Sequence, residues 1–199
     1  MTGWTMQLFF LNIQWMAFNS SLAVIGMLLG WFAYKSRGVL RILFAALWFL
    51  FIPNTIYMVT DLAHLSWQLP AVSPIWYLPI MVQFLLLATL GVVTFVLGFY
   101  PFEQLLHSFK KKRYTDYTLF IILVMNIIIG TGVILGRVYR LHSWYVMTQP
   151  GRVASAVLDF FSSVELMALA LMVGVIGFIV YLLLREDVVG FMPKKWRKA

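Results

Sequence analysis

The 199-residue chain contains no cysteine. Disulfides, thiolate nucleophiles and thiolate-held zinc or iron–sulfur centres are therefore excluded, and cysteine usage says nothing about redox compartment. Charge is scarce too: 15 Lys and Arg and only 7 Asp and Glu, together 11% of residues. A soluble domain carries roughly 25% charged residues, because something polar must face water on every side. With less than half of that, and 62% hydrophobic residues, the chain cannot coat a globule. Its mean hydropathy is +0.90. Its solvent is lipid. A cytosolic enzyme, a secreted disulfide scaffold, a disordered protein and a repeat array are all excluded. The first cation is Lys35, so the basic region that opens a secretory signal is missing and the first apolar stretch is expected to be a retained span.

A bilayer core needs about 20 mainly apolar residues per helix. Five runs meet this, at about 11–34, 40–60, 77–100, 117–136 and 156–184. They predict an all-α integral membrane protein, a single multi-pass domain built as a bundle of five transmembrane helices. Asn12, Gln14, Asn19, Ser20 and Ser21 crowd the start of the first run. The first 15 residues are therefore read either as part of that span or as an extra interfacial segment.

Cations set the direction. Lys35, Arg37 and Arg41 follow the first run, Lys110 to Arg113 the third, and Arg185, Lys194, Lys195, Arg197 and Lys198 the fifth. Twelve of the fifteen fall on one side if five spans alternate. That side is the cytoplasm, which places the amino terminus outside and the carboxyl terminus inside. The connection from Pro101 to Asp116 sets Phe102, Leu105, Leu106 and Phe109 beside Glu103, His107 and the basic run. It reads as an amphipathic segment on the inner surface. The basic run and the tail, with Phe191, Met192 and Trp196 interleaved, fit attraction to anionic lipid rather than nucleic acid.

The three remaining cations, Arg137, Arg140 and Arg152, break the pattern by falling in the outer loop between the fourth and fifth runs. Either the topology is misassigned there or something at the outer face requires them. Other polar residues point to the same face. Asn54, Tyr57, Asp61 and His64 are spaced 3, 4 and 3 apart, one stripe of a helix. Pro53 just before them removes a backbone donor, and the carbonyl it frees needs another partner within the membrane. An exposed Asp near the bilayer centre costs roughly 2.5–3.5 kcal/mol on insertion scales, so Asp61 is expected to have a partner. Arg137 should lie at similar depth, making a bidentate pair reasonable. Arg140 is expected one turn later on the same face, and Gly132 and Gly136 form a small-xxx-small pair that lets another backbone approach. The fifth run adds Asp159, Ser162, Ser163 and Glu165, the last being read as the deepest acid of the chain.

The stretch Pro53-Asn54-x-x-Tyr57-x-x-Thr60-Asp61-Leu62-x-His64-Leu65 resembles the signature of an uncharacterised bacterial membrane family, domain of unknown function 1361. So does Gly132-x-x-x-Gly136-Arg137-x-x-Arg140-x-x-Ser143-Trp144 followed by Pro150, and Asn19-Ser20-Ser21-Leu22-Ala23 fits more loosely. The resemblance implies a small multi-pass protein of the bacterial cytoplasmic membrane and no established activity. The chain departs from that pattern at Leu78, His142 and Tyr145, where acids or an amide are expected, which weakens a catalytic reading.

Several functions remain open. Arg137 and Arg140 at the mouth of a groove, flanked by Tyr139, Trp144 and Tyr145, suit a phosphate headgroup with a greasy tail, since Arg forks match phosphate. A phospholipid or polyprenyl phosphate is the natural ligand. Alternatively Asp61, His64, His142, Glu165 and the two arginines supply acid, base and anion stabilisers for acyl or phosphoryl transfer on a lipid. No catalytic motif supports that. Asp61, His64 and His142 include zinc-ligand types, but their spacing does not demand a metal and none is assigned; no cofactor is implied. A third reading makes the polar residues an interhelical network, the chain serving as partner to a larger membrane complex. A transporter rests only on Pro53 and Glu165, and five spans without a visible repeat argue against it.

Overall fold

A computed structural model of the chain describes residues 2–108 and 117–191. The described residues form helices and turns, with no strand among them. Among the described residues five stretches are long and apolar enough to cross a bilayer: Trp4–Lys35, Gly38–Ala71, Pro74–Ser108, Thr118–Tyr139 and Val164–Gly190. Lys110 to Arg113 and the cations of the tail from Lys194 onward lie outside the described residues.

Helix α1 (Thr2–Lys35) is continuous. At about 1.5 Å per residue its 34 residues reach about 51 Å, so residues 2–15 continue the span as one helix and do not form a separate segment. The early polar residues have partners inside the bundle. Asn12 is buried and exchanges amide hydrogen bonds with Gln68, donating at 2.8 Å and accepting at 3.0 Å. It also donates to Gln83 and accepts from Trp15.

The second crossing is broken at proline into α2 (Gly38–Phe51) and α3 (Pro53–Thr60). It continues as a 3-10 turn over Asp61–His64, the short α4 (Leu65–Gln68) and a further 3-10 turn, Leu69–Ala71; another, Pro74–Trp76, opens the third crossing. Helix α5 (Tyr77–Ser108) runs straight through Pro101. A proline inside a helix leaves the carbonyl four residues back without its donor. Here that is Leu97, and the Trp31 indole donates to it at 3.0 Å, while Trp48 donates to the neighbouring Gly98 carbonyl at 2.9 Å. Two indoles from other helices thus repair the ladder, and residues 101–108 extend the helix instead of lying along the inner surface.

Helix α6 (Thr118–Tyr139) packs along α9 (Val164–Gly190). A Cβ added to Gly174 would stand 2.5 Å from the Ile127 Cα, a backbone approach that only glycine permits. Between them lie α7 (Tyr145–Thr148) and α8 (Pro150–Ser162). Ser163 is extended, and its side chain accepts from the Leu166 amide to cap α9. The fifth span therefore begins at Val164, and the region 156–162 belongs to a separate helix. The main core gathers Trp48, Ile52, Phe95, Phe99, Ile122 and Tyr181, with Tyr181 wholly buried.

Candidate functional site

The site is built where α3 leaves its proline and α6 ends. Pro53 opens α3, and the carbonyl it deprives of a helical donor is that of Phe49. The ring of Pro53 occupies the notch left by Gly132, where an added Cβ would meet it at 2.8 Å. Gly136 faces Tyr57 with more room, its nearest contacts at 3.6 Å. The two glycines thus bring α3 against α6, and the proline ring makes the closer approach.

That contact sets Asp61 opposite Arg137. The carboxylate is buried, its side chain only 2% exposed, and accepts from Arg137 Nη1 at 2.6 Å. The other guanidinium arm donates to the Thr60 carbonyl at 2.7 Å, so the pair shares carboxylate and backbone and is not a bidentate fork. The Tyr57 ring lies 5.3 Å below the guanidinium carbon, a cation–π contact. Asn19 of α1 approaches the second carboxylate oxygen at 3.5 Å. Among the described residues no buried side-chain polar atom lacks a partner.

A cavity of about 800 Å³ opens beside this pair. Asn54, Tyr57, His64, Arg137, Arg140 and His142 all line it. Asp61 sits behind the wall. Trp144 backs His142, the two rings stacked at 4.5 Å and nearly parallel. His64 directs Nδ1 at the Asp61 main-chain oxygen, 3.0 Å away, and at its carboxylate, 3.5 Å away. The loop over the cavity is tethered twice: Asn54 donates to the Ser143 hydroxyl at 3.0 Å, and Trp144 meets Phe18 of α1 edge to face. Among the described residues no three metal-ligating side chains group together.

Arg140 differs from the expected helical position. Helix α6 stops at Tyr139, and Arg140 turns into the left-handed region at φ 52° and ψ 42°. It is the one non-glycine residue with positive φ among those described, a backbone form that costs L-residues other than glycine. It still lines the cavity, is exposed, and makes no hydrogen bond or ion pair with any described residue. Arg152 is spent elsewhere, donating to the Tyr139 carbonyl at 3.2 Å and covering the Tyr145 ring.

Glu165 does not join the site. It is exposed in the first turn of α9, where an acid complements the helix dipole. Among the described residues the buried acids are instead Asp61 and Glu103. Glu103 accepts from the Tyr181 hydroxyl and from Arg185, each at 2.5 Å, and His107 Nε2 lies 3.5 Å away. Sequence reading missed this cluster, along with the contributions of Asn19 and Ser143. A signal for Glu103 did exist: Glu103 and His107 are four apart, one helical turn in a stretch read as surface.

Five helices long and apolar enough to cross a bilayer, three of them bordering a partly polar cavity, define a helical, multi-pass membrane protein. The family model described as protein of unknown function (DUF1361) matches residues 18–183, and the chain belongs to that family. No curated protein and no solved structure matches it.

Proposed function

We propose that the chain is a single multi-pass domain of the bacterial cytoplasmic membrane that binds an anionic, phosphate-class headgroup in the cavity beside Arg137. Its amino terminus is outside and its carboxyl terminus cytoplasmic, which the excess of cations at the opposite end supports. One observation carries the reading: Arg140, exposed at the cavity and without a hydrogen-bond or ion-pair partner among the described residues. Arg137 already answers Asp61 and Thr60, so it positions the wall, while Arg140 has its whole fork to offer a phosphate. Phospholipid and polyprenyl phosphate share this chemistry.

Mass spectrometry of the lipids retained by gently purified protein tests it. Wild type should carry a stoichiometric phospholipid or prenyl phosphate that Arg140→Gln loses. Equal, non-selective lipid on both proteins sinks the reading and turns attention to a structural partner role.

Acyl or phosphoryl transfer on the same lipid is a second reading, favoured by His64. A main-chain oxygen can only accept, so Nδ1 donates to it and Nε2 is the ring nitrogen left for proton transfer. Conversion of added phospholipid, abolished in His64→Gln, would separate catalysis from binding. No conversion by wild type rejects it.

A further inference from the structure

The cavity is not only polar. Below Arg140 it runs between α2 and α6, whose backbones do not lie along one another although side chains of both enter the main core. Phe49 and Leu50 line it from one side, Ile128 and Leu135 from the other. Arg140 and Ile128 are about 18 Å apart along the axis of α6 at the helical rise per residue. The lower end is open sideways: Phe49 and Ile128 are each 40% exposed at a level where both flanking helices are apolar. Phe49 also borders a second cavity of about 230 Å³ with Ala45, Trp48 and Met125 in its wall. A free phosphate needs only the cationic end. A headgroup carried on a hydrocarbon chain uses both.

We infer that the gap between α2 and α6 seats one hydrocarbon chain of a phospholipid whose phosphate meets Arg140, the lipid entering sideways from the bilayer. This inference rests on the headgroup reading above and adds the class of ligand: a membrane lipid, not a soluble phosphate. Charge complementarity at one end and a lateral apolar opening at the other both point to that occupant. Moving a chain from bilayer to groove gains little from the hydrophobic effect, because lipid is already apolar. Shape and the fixed headgroup must supply the selectivity.

The test is native mass spectrometry of the full chain in detergent with three probes: dipalmitoyl phosphatidic acid, its dihexanoyl analogue and inorganic phosphate. Wild type should prefer the long-chain lipid by at least about tenfold over the dihexanoyl form. Ile128→Trp, which fills the groove from an already exposed position, should erase that preference and leave dihexanoyl binding unchanged. Leu50→Trp on the facing helix should do the same, so misfolding of one variant does not decide the matter. Arg140→Gln should weaken both lipids. If the three probes bind wild type equally, or both tryptophan variants keep the preference while Arg140→Gln weakens binding, the chain groove is wrong and the headgroup reading stands. If Arg140→Gln changes nothing, the headgroup reading falls and takes this inference with it.

Discussion

Glu103 and Asp61 are both buried carboxylates answered by an arginine from another helix, and they sit at opposite ends of the bundle. Around Glu103 the donors converge: Tyr181, itself wholly buried, and Arg185 both reach it, in contact with the aromatic core of Phe95 and Phe99. Around Asp61 the same chemistry borders a cavity, and a further arginine, Arg140, lines it without a partner among the described residues. The first cluster consumes its polar groups in holding α5 to α9. The second holds α3 to α6 and leaves capacity over. An ion pair between helices therefore does not by itself mark a site; unspent donors beside open volume do.

The largest expected effect belongs to the closed cluster. Glu103→Ala strands a buried hydroxyl and a guanidinium together, and breaking such a pair costs about 3–5 kcal/mol. Thermal unfolding in detergent should show it, with retained lipid unaltered until the protein unfolds. Glu103→Gln, which still accepts from Tyr181, should recover part of the loss. Asp61→Ala should cost less, about 1–3 kcal/mol, because Arg137 keeps the Thr60 carbonyl and the Tyr57 face while its freed arm meets a cavity that admits water. An Asp61→Ala protein less stable than Glu103→Ala would break the contrast between the two ends.

These two clusters also differ in how far the sequence reveals them. The Asp61 partner was legible because stripe spacing and span boundaries place Asp61 and Arg137 at one depth. Its geometry was not, since the Thr60 carbonyl competes for the second arm only once α3 docks on Gly132. Glu103 follows Pro101 in an amphipathic stretch, and proline plus charge reads locally as a surface segment. What overrides that reading is tertiary: the Trp31 and Trp48 indoles supply donors from other helices, so the helix passes through the proline. The amide cluster of Asn12, Gln68 and Gln83 escaped for the same reason, its members lying 56 and 71 residues apart. The break at Ser163 was within reach, as Ser163 followed by Glu165 is an N-terminal capping pattern. It was hidden by apolar residues on both sides.

The glycine pair on α6 sharpens the comparison at the level of packing. Gly132→Ala puts a methyl 2.8 Å from the Pro53 ring, and such overpacking costs about 1–3 kcal/mol. Gly136→Ala meets nothing closer than 3.6 Å and removes a glycine from a helix, a gain of up to about 1 kcal/mol. Paired melting curves should move in opposite directions. Equal losses would mean that the approach of α3 to α6 is governed by the Tyr57 contact and not by the proline.

A modest effect in energy separates the two ends most cleanly. Arg140 holds a left-handed backbone at φ 52°, which costs a residue with a side chain about 1–2 kcal/mol relative to one that adopts it freely. Arg140→Gly should therefore raise the melting temperature by a few degrees while removing the unpartnered guanidinium. Arg140→Gln keeps the strain and should melt with wild type. Both should lose the retained phospholipid. No substitution in the Glu103 cluster should behave this way, because every polar group there is already paired and none carries backbone strain of this kind. A gain in stability coupled to a loss of ligand is what separates a residue kept for binding from one kept for the fold. If Arg140→Gly melts lower than wild type, the guanidinium is holding the end of α6 in place, and the two ends of the bundle are alike after all.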